Sequence, residues 1–510
     1  MARGLLALGT TPGDRVGILL PNCVEALDFL FGAMKIGAIP VPINARFKET
    51  ELRQVVIHSG MRTLVTTVPR PGNPDFVALL GLALPGLKAP ELRHLIVLGD
   101  ESEARFRSGA KSVPLLKVRR RQQFVRLRDT AAIVYTSGTT AAPKGAMISH
   151  EAFSRVADGV VNSRFQLGPD DRVWTALPLF HIGGIAFAVA SLYAGAAYCH
   201  VGAFEPSAAL RHLVTERCTV ALAGFETIWL PILDAPGFAD ARLDSLRIVM
   251  VVGVPERLRA MQARVPGAIQ VSTFGQTEAG SFLSLNLLTE STEHRTTTGG
   301  PPLPGMQVRV IDPETGLDVP PSTRGELPYR GSNMFDGYFR DPEATAACID
   351  ADGWFHSGDI ATVDPAGRVT FVGRIKDMLK VGGENVAAAE VEDFLLRHPA
   401  VGMVQVVAAP DARYGEVAAA FVQLEPGTDA TESDIVSFCV GKIATFRVPR
   451  YVRFVTEWPM SGTKIKKYVL RERIAAELAA NGIAAAPKLS SRAPRERRTT
   501  AQRVGRHVEV

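Results

Sequence analysis

The sequence predicts an α/β protein with a large N-terminal domain of layered α/β subdomains plus a β-rich subdomain, and a small α+β C-terminal domain. Three observations predict this class: short apolar runs alternate with helical patterns, Pro and Gly become dense after Gly300, and a compact mixed segment begins near Met378. Alternating strands and helices favour a largely parallel sheet covered by helices. The 510 residues are enough for about two to four domains.

The alternation of strand and helix is clearest in the first 60 residues. An apolar run at 15–20 predicts a buried strand, and helical spacing follows at 24–36. A second strand is expected at 38–42, and the next helix should end near Gly60. Further strands are expected at residues 132–136, 248–253 and 271–275.

The second half of the chain has a different texture. Short strands at 307–311 and 368–372 follow a Pro- and Gly-rich run, which predicts an antiparallel β section. In the compact segment after Met378, Thr431 and Asp434 have the spacing of a capping box, so a helix should begin there.

Charge and cysteine usage exclude several classes of protein. Of 57 basic and 52 acidic residues, seven and two lie from Pro487 onward, which leaves a neutral body with 50 of each. A neutral body gives no reason to expect nucleic-acid binding, and the basic tail is expected to be a disordered end. Five scattered cysteines without a C-x-x-C pair suggest reduced thiols and a cytoplasmic protein.

One stretch, residues 182–199, is apolar enough to suggest a membrane span. It is interrupted by glycines and lacks flanking basic anchors, so we expect a buried core helix and no integral membrane span. No charged and apolar leader of the secretory kind is visible at the N-terminus.

The strongest local signal is the run Y-T-S-G-T-T-A-A-P-K-G at residues 135–145. Small residues let backbone N–H groups approach an anion, hydroxyls add donors and Lys144 adds positive charge, so the run suggests a phosphate loop. It is not a Walker A loop, because Lys144 precedes its glycine and no G-K-S/T follows. From the residues alone, a polar turn remains the alternative. The candidate phosphate-binding residues are Thr136, Ser137, Gly138, Thr139, Thr140 and Lys144.

This run resembles the phosphate loop of the adenylate-forming superfamily, which includes acyl-CoA synthetases, adenylation domains of peptide synthetases and luciferases. Five further segments resemble motifs of that family and occur in its order, so the resemblance covers about residues 10–475. They are P-L-F-H-I-G-G at 178–184, F-G-Q-T-E-A-G at 274–280, W-F-H-S-G-D-I-A at 354–361, G-R-I-K-D-M-L-K-V-G-G-E-N-V at 373–386 and W-P-M-S-G-T-K at 458–464.

The resemblance implies a division of the chain. It gives an adenylation domain at 1–373, a hinge at 374–377 with Lys376 as the hinge residue, a mobile C-terminal domain at 378–486 and the basic tail at 487–510. Compared with the family, the first domain starts late, so part of its N-terminal layer is expected to be short or the start to be misassigned.

The resemblance also implies roles for individual residues. Thr136 and Glu278 would hold Mg²⁺, and Lys464 would control formation of the adenylate, so catalysis is assigned to these three residues. Asp359 would accept hydrogen bonds from both ribose hydroxyls, and Arg374 would reach the same ribose or the phosphate. The adenine would lie against two further segments. The remaining assignments are Gly253, Val254, Pro255, Phe274, Gly275, Gln276 and Thr277 for the nucleotide, His181 and Gly280 for the acyl pocket, and Gly382 and Gly383 for the path of the CoA thiol.

The leading hypothesis is therefore an ATP-dependent, AMP-forming acyl-CoA ligase that uses ATP, Mg²⁺ and coenzyme A. A carboxylate attacks the α-phosphate to give an acyl-adenylate and pyrophosphate, and a thiol then displaces AMP. The alternatives are an acyl-adenylating enzyme that loads a carrier protein and a degenerate nucleotide-binding relative. The sequence leaves open which carboxylic acid is used (fatty, aromatic or steroid-derived), whether the chain forms a homodimer, and whether it makes peripheral contact with a membrane.

Overall fold

The computed structural model describes residues 1–70, 72–87, 89–136, 143–200, 202–382, 384–461 and 464–489. Contacts divide the chain into two compact units, Met1–Val372 and Gly373–Val510. The first unit contains two all-parallel sheets, and its strands alternate with helices. The predicted α/β class is thereby confirmed, because parallel strands need a crossover helix for each connection.

The first parallel sheet is built from the first 98 residues. Its strands are β1 (Arg15–Ile18), β2 (Ile39–Pro42), β3 (Thr63–Thr67) and β4 (His94–Leu98), and the helices of this region are α1 (Ala2–Ala7), α2 (Val24–Met34), α3 (Glu49–Ser59), α4 (Phe76–Ala83), α5 (Glu101–Ser112) and α6 (Leu115–Gln122). The strand order is β2-β1-β3-β4. As predicted, α3 ends at Gly60, which adopts a left-handed φ of +57°.

A hairpin and a second parallel sheet follow. The elements are β5 (Thr130–Thr136), β6 (Lys144–Ser149), α7 (His150–Asp158), a π-helical segment (Gly159–Phe165), β7 (Arg172–Thr175), α8 (Ile182–Ala194), β8 (Ala197–His200), α9 (Pro206–Thr215), β9 (Val220–Phe225), α10 (Glu226–Leu233), β10 (Ile248–Val252), α11 (Pro255–Arg264) and β11 (Ile269–Val271). The strands β5 and β6 pair antiparallel, and the sheet has the order β11-β10-β9-β7-β8.

Two expectations for this region need correction. The apolar stretch 182–199 is not one helix, because Gly195 ends α8 with a φ of +70° and the chain then enters β8. The expected strand 271–275 is broken, because the backbone N–H of Ser272 bonds to Asn286 Oδ1 (2.7 Å) instead of continuing the parallel ladder. Within the described ranges, no helix is both long enough and apolar enough to span a bilayer.

The β-rich section lies after the parallel sheets. It contains β12 (Thr273–Phe274), β13 (Ser284–Leu285), α12 (Thr292–Thr297), β14 (Met306–Val308), β15 (Gly325–Glu326), β16 (Tyr329–Gly331), α13 (Pro342–Ala346), β17 (Asp359–Val363) and β18 (Val369–Arg374). Pairing of β12 with β13, β14 with β16 and β15 with β17 is antiparallel, as expected. The expected strand 307–311 is shorter, since regular pairing stops at Val308, and Ile311 forms isolated bridges to Asp318 and Glu326.

The second unit has its own sheet and core. Its elements are β19 (Met378–Val381), β20 (Glu384–Ala387), α14 (Ala388–Leu395), β21 (Val401–Asp411), β22 (Gly415–Leu424), α15 (Glu432–Cys439), β23 (Tyr451–Phe454), β24 (Met460–Ser461), β25 (Lys464–Ile465) and α16 (Lys467–Ala480). Fully buried Leu395, Phe421 and Ile474 contribute to the core. The predicted capping box is confirmed, because Thr431 Oγ1 accepts from the Asp434 N–H (3.2 Å) and Asp434 Oδ2 accepts from the Thr431 N–H (2.9 Å).

Candidate active site

The predicted phosphate loop joins the two strands of the β5–β6 hairpin. The register pairs Thr136, the last residue of β5, with Lys144, the first residue of β6. The Thr136 hydroxyl donates to the Lys144 carbonyl oxygen at 3.4 Å. The predicted residues Ser137, Gly138, Thr139 and Thr140 lie outside the described residues. The hairpin therefore brings the two ends of the loop, with one hydroxyl and one ammonium group, next to each other.

Lys144 and Glu278 are connected through Tyr338. Glu278 lies in a 3₁₀ turn, Thr277–Ala279, and is only 8% exposed. The Tyr338 hydroxyl donates a 2.8 Å hydrogen bond to Glu278 Oε1, and Lys144 Nζ lies over the Tyr338 ring, 5.0 Å from its centroid. An ammonium over an aromatic face is attracted by the negative charge density of the ring. The three side chains form one cluster, although they are far apart in sequence.

Perturbed pKa values support this proximity. Burial, with a further contribution from the Glu278 carboxylate, raises the pKa of Tyr338 above its usual value, so its hydroxyl stays protonated and can donate. Burial is also the main reason that the pKa of Cys348 rises to about 11; Glu278 adds to this rise, and the Lys144 ammonium opposes it. The Cys348 thiol is therefore influenced by both charges of the cluster, the Glu278 carboxylate and the Lys144 ammonium.

The predicted ribose residue lies beside the same turn. Asp359 is the first residue of β17, is 1% exposed, and accepts a 3.3 Å hydrogen bond from Gln276 Nε2. Fully buried Tyr329 has its pKa raised by burial first and then by both Glu278 and Asp359. Gln276 stands two residues before Glu278, so its bond to Asp359 places that carboxylate beside the turn of Glu278, and Lys144, Glu278 and Asp359 belong to one region of the first unit.

The predicted adenine-binding segments lie at the ends of two strands. Gly253 and Val254 follow β10, and Pro255 begins α11. A Cβ atom at Gly253 would lie 2.6 Å from Oε2 of Glu226, so a side chain at that position would displace the Glu226 carboxylate. Phe274 is in β12, and its ring stacks on that of Phe371 with centroids 5.7 Å apart.

Backbone crowding defines the turn that carries Glu278. A Cβ atom at Gly275 would lie 1.9 Å from the Ser281 carbonyl oxygen, and one at Gly280 would lie 2.5 Å from that of Asn333. Gly280 has a φ of +67° and Ser281 has a φ of +112°. Residues other than glycine rarely adopt positive φ values. The path of this turn is therefore fixed by main-chain atoms.

The two predicted acyl-pocket residues are neighbours of this turn. His181 caps the start of α8, where its Nδ1 accepts from the Gly183 N–H at 3.2 Å. A Cβ atom at Gly183 would lie 3.4 Å from His181 Nδ1 and 3.9 Å from Ser281 Oγ. The segment around His181 thus lies against Ser281, the residue that follows Gly280. Phe187 of α8 and Phe282, which follows Ser281, are both buried, and their ring centroids lie 5.0 Å apart.

The other predicted residues lie at the start of the second unit or within it. Arg374 is the last residue of β18, and Lys376 is in a 3₁₀ turn, Ile375–Asp377. Gly382 has a φ of +59°, and its N–H donates to the Tyr414 carbonyl at 2.8 Å. Lys464 begins β25 with its backbone paired to Ser461. Gly383 and the side chains of Lys376 and Lys464 lie outside the described part of the chain.

Sequence reasoning missed Tyr338, Tyr329 and Glu226. Tyr338 is 60 residues from the carboxylate to which it donates, and no local spacing links the two. Glu226 Oε1 accepts from Arg257 Nη1 at 2.8 Å, and this pair connects the starts of α10 and α11 beside Gly253. A carboxylate in the first turn of a helix after a buried strand was a signal that could have drawn attention to Glu226.

The chemistry of these groups fits a magnesium ion carried by phosphates. Among the described residues, no group of three or more His, Cys, Asp or Glu side chains could hold a metal alone. Glu278 and Thr136 offer one carboxylate and one hydroxyl oxygen, and Mg²⁺ typically binds through one or two protein oxygens plus substrate phosphates and water. The donor set suits Mg²⁺ bound with a nucleotide and does not suit a structural metal.

Replacing Tyr338 with phenylalanine should raise the Mg²⁺ concentration needed for half-maximal activity by about 10- to 100-fold, since the hydroxyl orients the Glu278 carboxylate. The ring under Lys144 would remain. Loss of a hydrogen bond to a buried charge should also lower the free energy of unfolding by about 1.5–3 kcal/mol. Magnesium titration of activity, together with thermal unfolding, measures both effects. An unchanged Mg²⁺ requirement in a destabilised variant would show that Tyr338 has only a structural role.

Two family models match this chain. Residues 1–339 match the model described as AMP-binding enzyme, and residues 390–464 match the AMP-binding enzyme C-terminal domain. Both models are found in the order in which the two units occur.

Curated proteins and solved structures are similar over most of the chain. It is 32% identical to the mitochondrial medium-chain acyl-CoA ligase ACSF2 of Bos taurus, over 93% of this chain and 81% of that protein. It is 35% identical to the 3-[(3aS,4S,7aS)-7a-methyl-1,5-dioxo-octahydro-1H-inden-4-yl]propanoyl:CoA ligase of Mycobacterium tuberculosis, over 92% and 91%. The ATP-bound structure of MatB from Rhodopseudomonas palustris superposes with a TM-score of 0.80 at 29% identity and covers 92% of both chains.

Proposed function

We propose a residue-by-residue catalytic route for this chain on one premise: it belongs to the AMP-binding enzyme family and is an AMP-forming acyl-CoA ligase. The reaction has two half-reactions. In the first, a carboxylate oxygen of the acid attacks the α-phosphorus of ATP, and pyrophosphate leaves. In the second, the sulfur of CoA attacks the acyl carbon, the thiol proton is lost to solvent, and AMP leaves.

The phosphate loop and the cluster around Tyr338 would bind the triphosphate. Lys144 supplies positive charge next to Thr136, where hydroxyl and backbone N–H groups can face an anion. Preorganised cations and donors stabilise the charge that develops on the phosphoryl oxygens without reorganising during the reaction. Thr136 and Glu278 would hold the magnesium ion, which when bound neutralises phosphate charge and orients the triphosphate.

The adenosine would bind between the ends of β10, β12 and β17. Asp359 is an acceptor-only carboxylate, so it suits the two ribose hydroxyls, and Gln276 already donates to it. We assign the adenine to Phe274, Gly275, Gln276 and Thr277 on one side and to Gly253, Val254 and Pro255 on the other. The absence of a side chain at Gly253 lets a flat base approach the backbone there.

Residues of the second unit would govern the order of the two half-reactions. We assign Lys464 to the adenylation step and Arg374 to the ribose or phosphate. We assign Gly382 and Gly383 to the path of the CoA thiol, where the left-handed φ of Gly382 (+59°) permits a backbone turn that side chains disfavour. Lys376 is the proposed hinge residue, four residues after the boundary at Val372.

One observation carries this proposal: Lys144, Glu278 and Asp359, predicted from three separate motifs, lie in one region of the first unit. Tyr338 connects the first two, and Gln276 connects the turn of Glu278 to Asp359. Glu278 and Asp359 are 8% and 1% exposed. Carboxylates are seldom buried without a partner or a function, so these two are not ordinary surface residues.

The acid itself is the open part of the proposal. One relative is named for medium-chain acyl groups and another for a fused-ring propanoate. The two segments assigned to the acyl pocket continue into apolar residues, among them Phe187 and Phe282 in ring contact, which favours an acid whose body is apolar. We propose an apolar carboxylic acid, aliphatic or polycyclic, as substrate. The five cysteines are all free thiols, which supports a reducing compartment such as the cytoplasm.

Pyrophosphate release across a panel of carboxylic acids, with MgATP and with or without CoA, tests the function. We expect release with at least one apolar acid and CoA-dependent formation of its thioester. If pyrophosphate is released but the thioester forms only on a carrier protein, then the acceptor is that carrier protein and not CoA. A folded sample that neither binds MgATP nor releases pyrophosphate would contradict the proposal and favour a degenerate relative.

Replacing Lys376 with proline should leave pyrophosphate release within about threefold of wild type and reduce thioester formation by at least about tenfold. A hinge works through a few backbone dihedrals, and proline fixes φ at the position where it is placed. The two steps are measured separately as pyrophosphate release and as CoA consumption from a preformed acyl-adenylate. Lys376→Ala, which keeps the backbone free, is the control. If both steps in the proline variant keep their wild-type rates, or if both fall by the same factor, the hinge assignment is contradicted.

A further inference from the structure

A basic and apolar patch, residues 111–128, lies on the first unit and runs from the last two residues of α5 to the segment just before β5. It contains seven basic residues and no Asp or Glu, whereas the chain up to residue 486 is neutral overall. The basic residues are Lys111, Lys117, Arg119, Arg120, Arg121, Arg126 and Arg128. These 18 consecutive residues therefore carry a local excess of positive charge within a neutral body.

Large apolar side chains of the patch are exposed. Leu115 and Leu116, in the first turn of α6, are 54% and 59% exposed, and Phe124 and Leu127 beyond the helix are 78% and 62% exposed. The helix α6 is held against the core by Val118, which is 6% exposed. The Arg3 guanidinium donates to the carbonyls of Lys111 and Val113 and so fixes the end of α5, from which α6 follows. Leu115 and Leu116 are thus presented at the surface by an anchored helix, and Phe124 and Leu127 follow directly after it.

The cations of the patch differ from those of the neighbouring helix. On α5, Arg105 pairs with Glu101 and Arg107 pairs with Glu103. In the patch, Arg128 pairs with Glu151 at 2.7 Å. Within the described ranges, no carboxylate lies within 4.0 Å of the side-chain nitrogens of Lys117, Arg119, Arg120, Arg121 or Arg126. Asp129, just beyond the patch, accepts instead from the backbone N–H of Arg126 at 2.8 Å.

We propose that this patch binds the surface of an anionic lipid membrane. Unpaired cations attract anionic headgroups, and exposed leucine and phenylalanine side chains can enter the boundary between headgroups and acyl chains. A nucleic acid would use the cations but gains nothing from exposed leucines, and a solvated charged face would not carry four large apolar side chains. The patch precedes β5, whose seven residues separate it by about 20 Å from the phosphate loop, so a membrane bound there does not have to cover the loop.

Vesicle binding by the full-length protein tests the proposal. Sedimentation with vesicles of phosphatidylglycerol and phosphatidylcholine, compared with phosphatidylcholine alone, should show binding that needs the anionic lipid and weakens with salt. Each cation near an anionic surface contributes roughly fivefold to partitioning, so R119Q/R120Q/R126Q should reduce binding by at least about 20-fold. L115S/L116S should also reduce it, because the apolar contact is lost. The control R105Q/R107Q should bind nearly as wild type.

A Phe124→Trp variant reports insertion directly. The wild-type protein already contains four tryptophans, so its emission is subtracted. The difference, due to residue 124, should shift to shorter wavelength on anionic vesicles and should be quenched by brominated lipid. The basic tail from Pro487 onward is present in every variant, so binding by the tail alone would leave all variants equal to wild type and would overturn the proposal. Binding to heparin with no binding to anionic vesicles would equally overturn it and would identify a soluble polyanion as the partner.

Discussion

Replacing Lys464 with alanine should lower the rate of pyrophosphate release by at least about 100-fold, because removing one donor that stabilises charge developing in a transition state costs about that much. A lysine ammonium is a mobile point charge, which suits the meeting of two anions, the carboxylate and the α-phosphate. Once the acyl-adenylate has formed, the repulsion between the carboxylate and the α-phosphate no longer has to be overcome. The rate of thioester formation from a preformed acyl-adenylate should therefore stay within about threefold of wild type.

Lys466→Ala provides a matched control, since Lys466 is two residues away and is half-buried. Lys467 is not suitable, because its Nζ pairs with Glu392 Oε1 at 2.6 Å and its loss would disturb the second unit. We expect Lys466→Ala to retain both half-reactions. Equal loss of both half-reactions in Lys464→Ala, or a loss in Lys466→Ala of similar size, would contradict the assignment of Lys464.

Replacing Glu278 with glutamine should reduce adenylation by about 100-fold or more and should raise the Mg²⁺ concentration for half-maximal activity by at least about tenfold. The substitution keeps the size of the side chain and leaves an oxygen that can accept from the Tyr338 hydroxyl. It removes the negative charge that would hold the cation. Titrating pyrophosphate release with Mg²⁺ at fixed ATP measures both changes.

The control for this second variant is Glu290→Gln. Glu290 is a similarly buried carboxylate (6% side-chain exposure), but it pairs with Arg368 through Oε1 at 2.6 Å. Its replacement should lower the melting temperature without changing the Mg²⁺ requirement. If Glu278→Gln shows the same pattern, with lower stability and an unchanged Mg²⁺ requirement, then Glu278 is a structural residue.

Local patterns predicted the layered fold and brought the main candidates to attention. Strands and the Thr431 capping box depend on residues within a few positions of each other, so periodicity and spacing were sufficient. The break at Ser272 was not predictable, because it depends on Asn286, which is 14 residues away. The apolar stretch that becomes α8 and β8 was misread, since apolarity alone does not distinguish a helix from a strand; the left-handed Gly195 between them does.

The candidate site was predictable in its parts but not in its connections. Lys144, Glu278 and Asp359 each stand in a recognisable segment, whereas Tyr338 is joined to Glu278 only by the folded chain. The roles assigned to Lys464, Lys376 and Gly383 stay predictions for a different reason: the side chains of the two lysines, and all of Gly383, lie outside the described residues.

The turn at residues 275–281 has a practical consequence for changing the acid that the enzyme accepts. Its middle residue, Glu278, accepts a hydrogen bond from Tyr338. Its last residue, Ser281, lies beside Gly183 and the segment of His181. Main-chain atoms crowd the turn at Gly275 and Gly280, so a substitution there would displace the carboxylate proposed for nucleotide activation. Engineering of substrate range should begin with the side chains of α8, such as Phe187, which can be changed while the turn keeps its path.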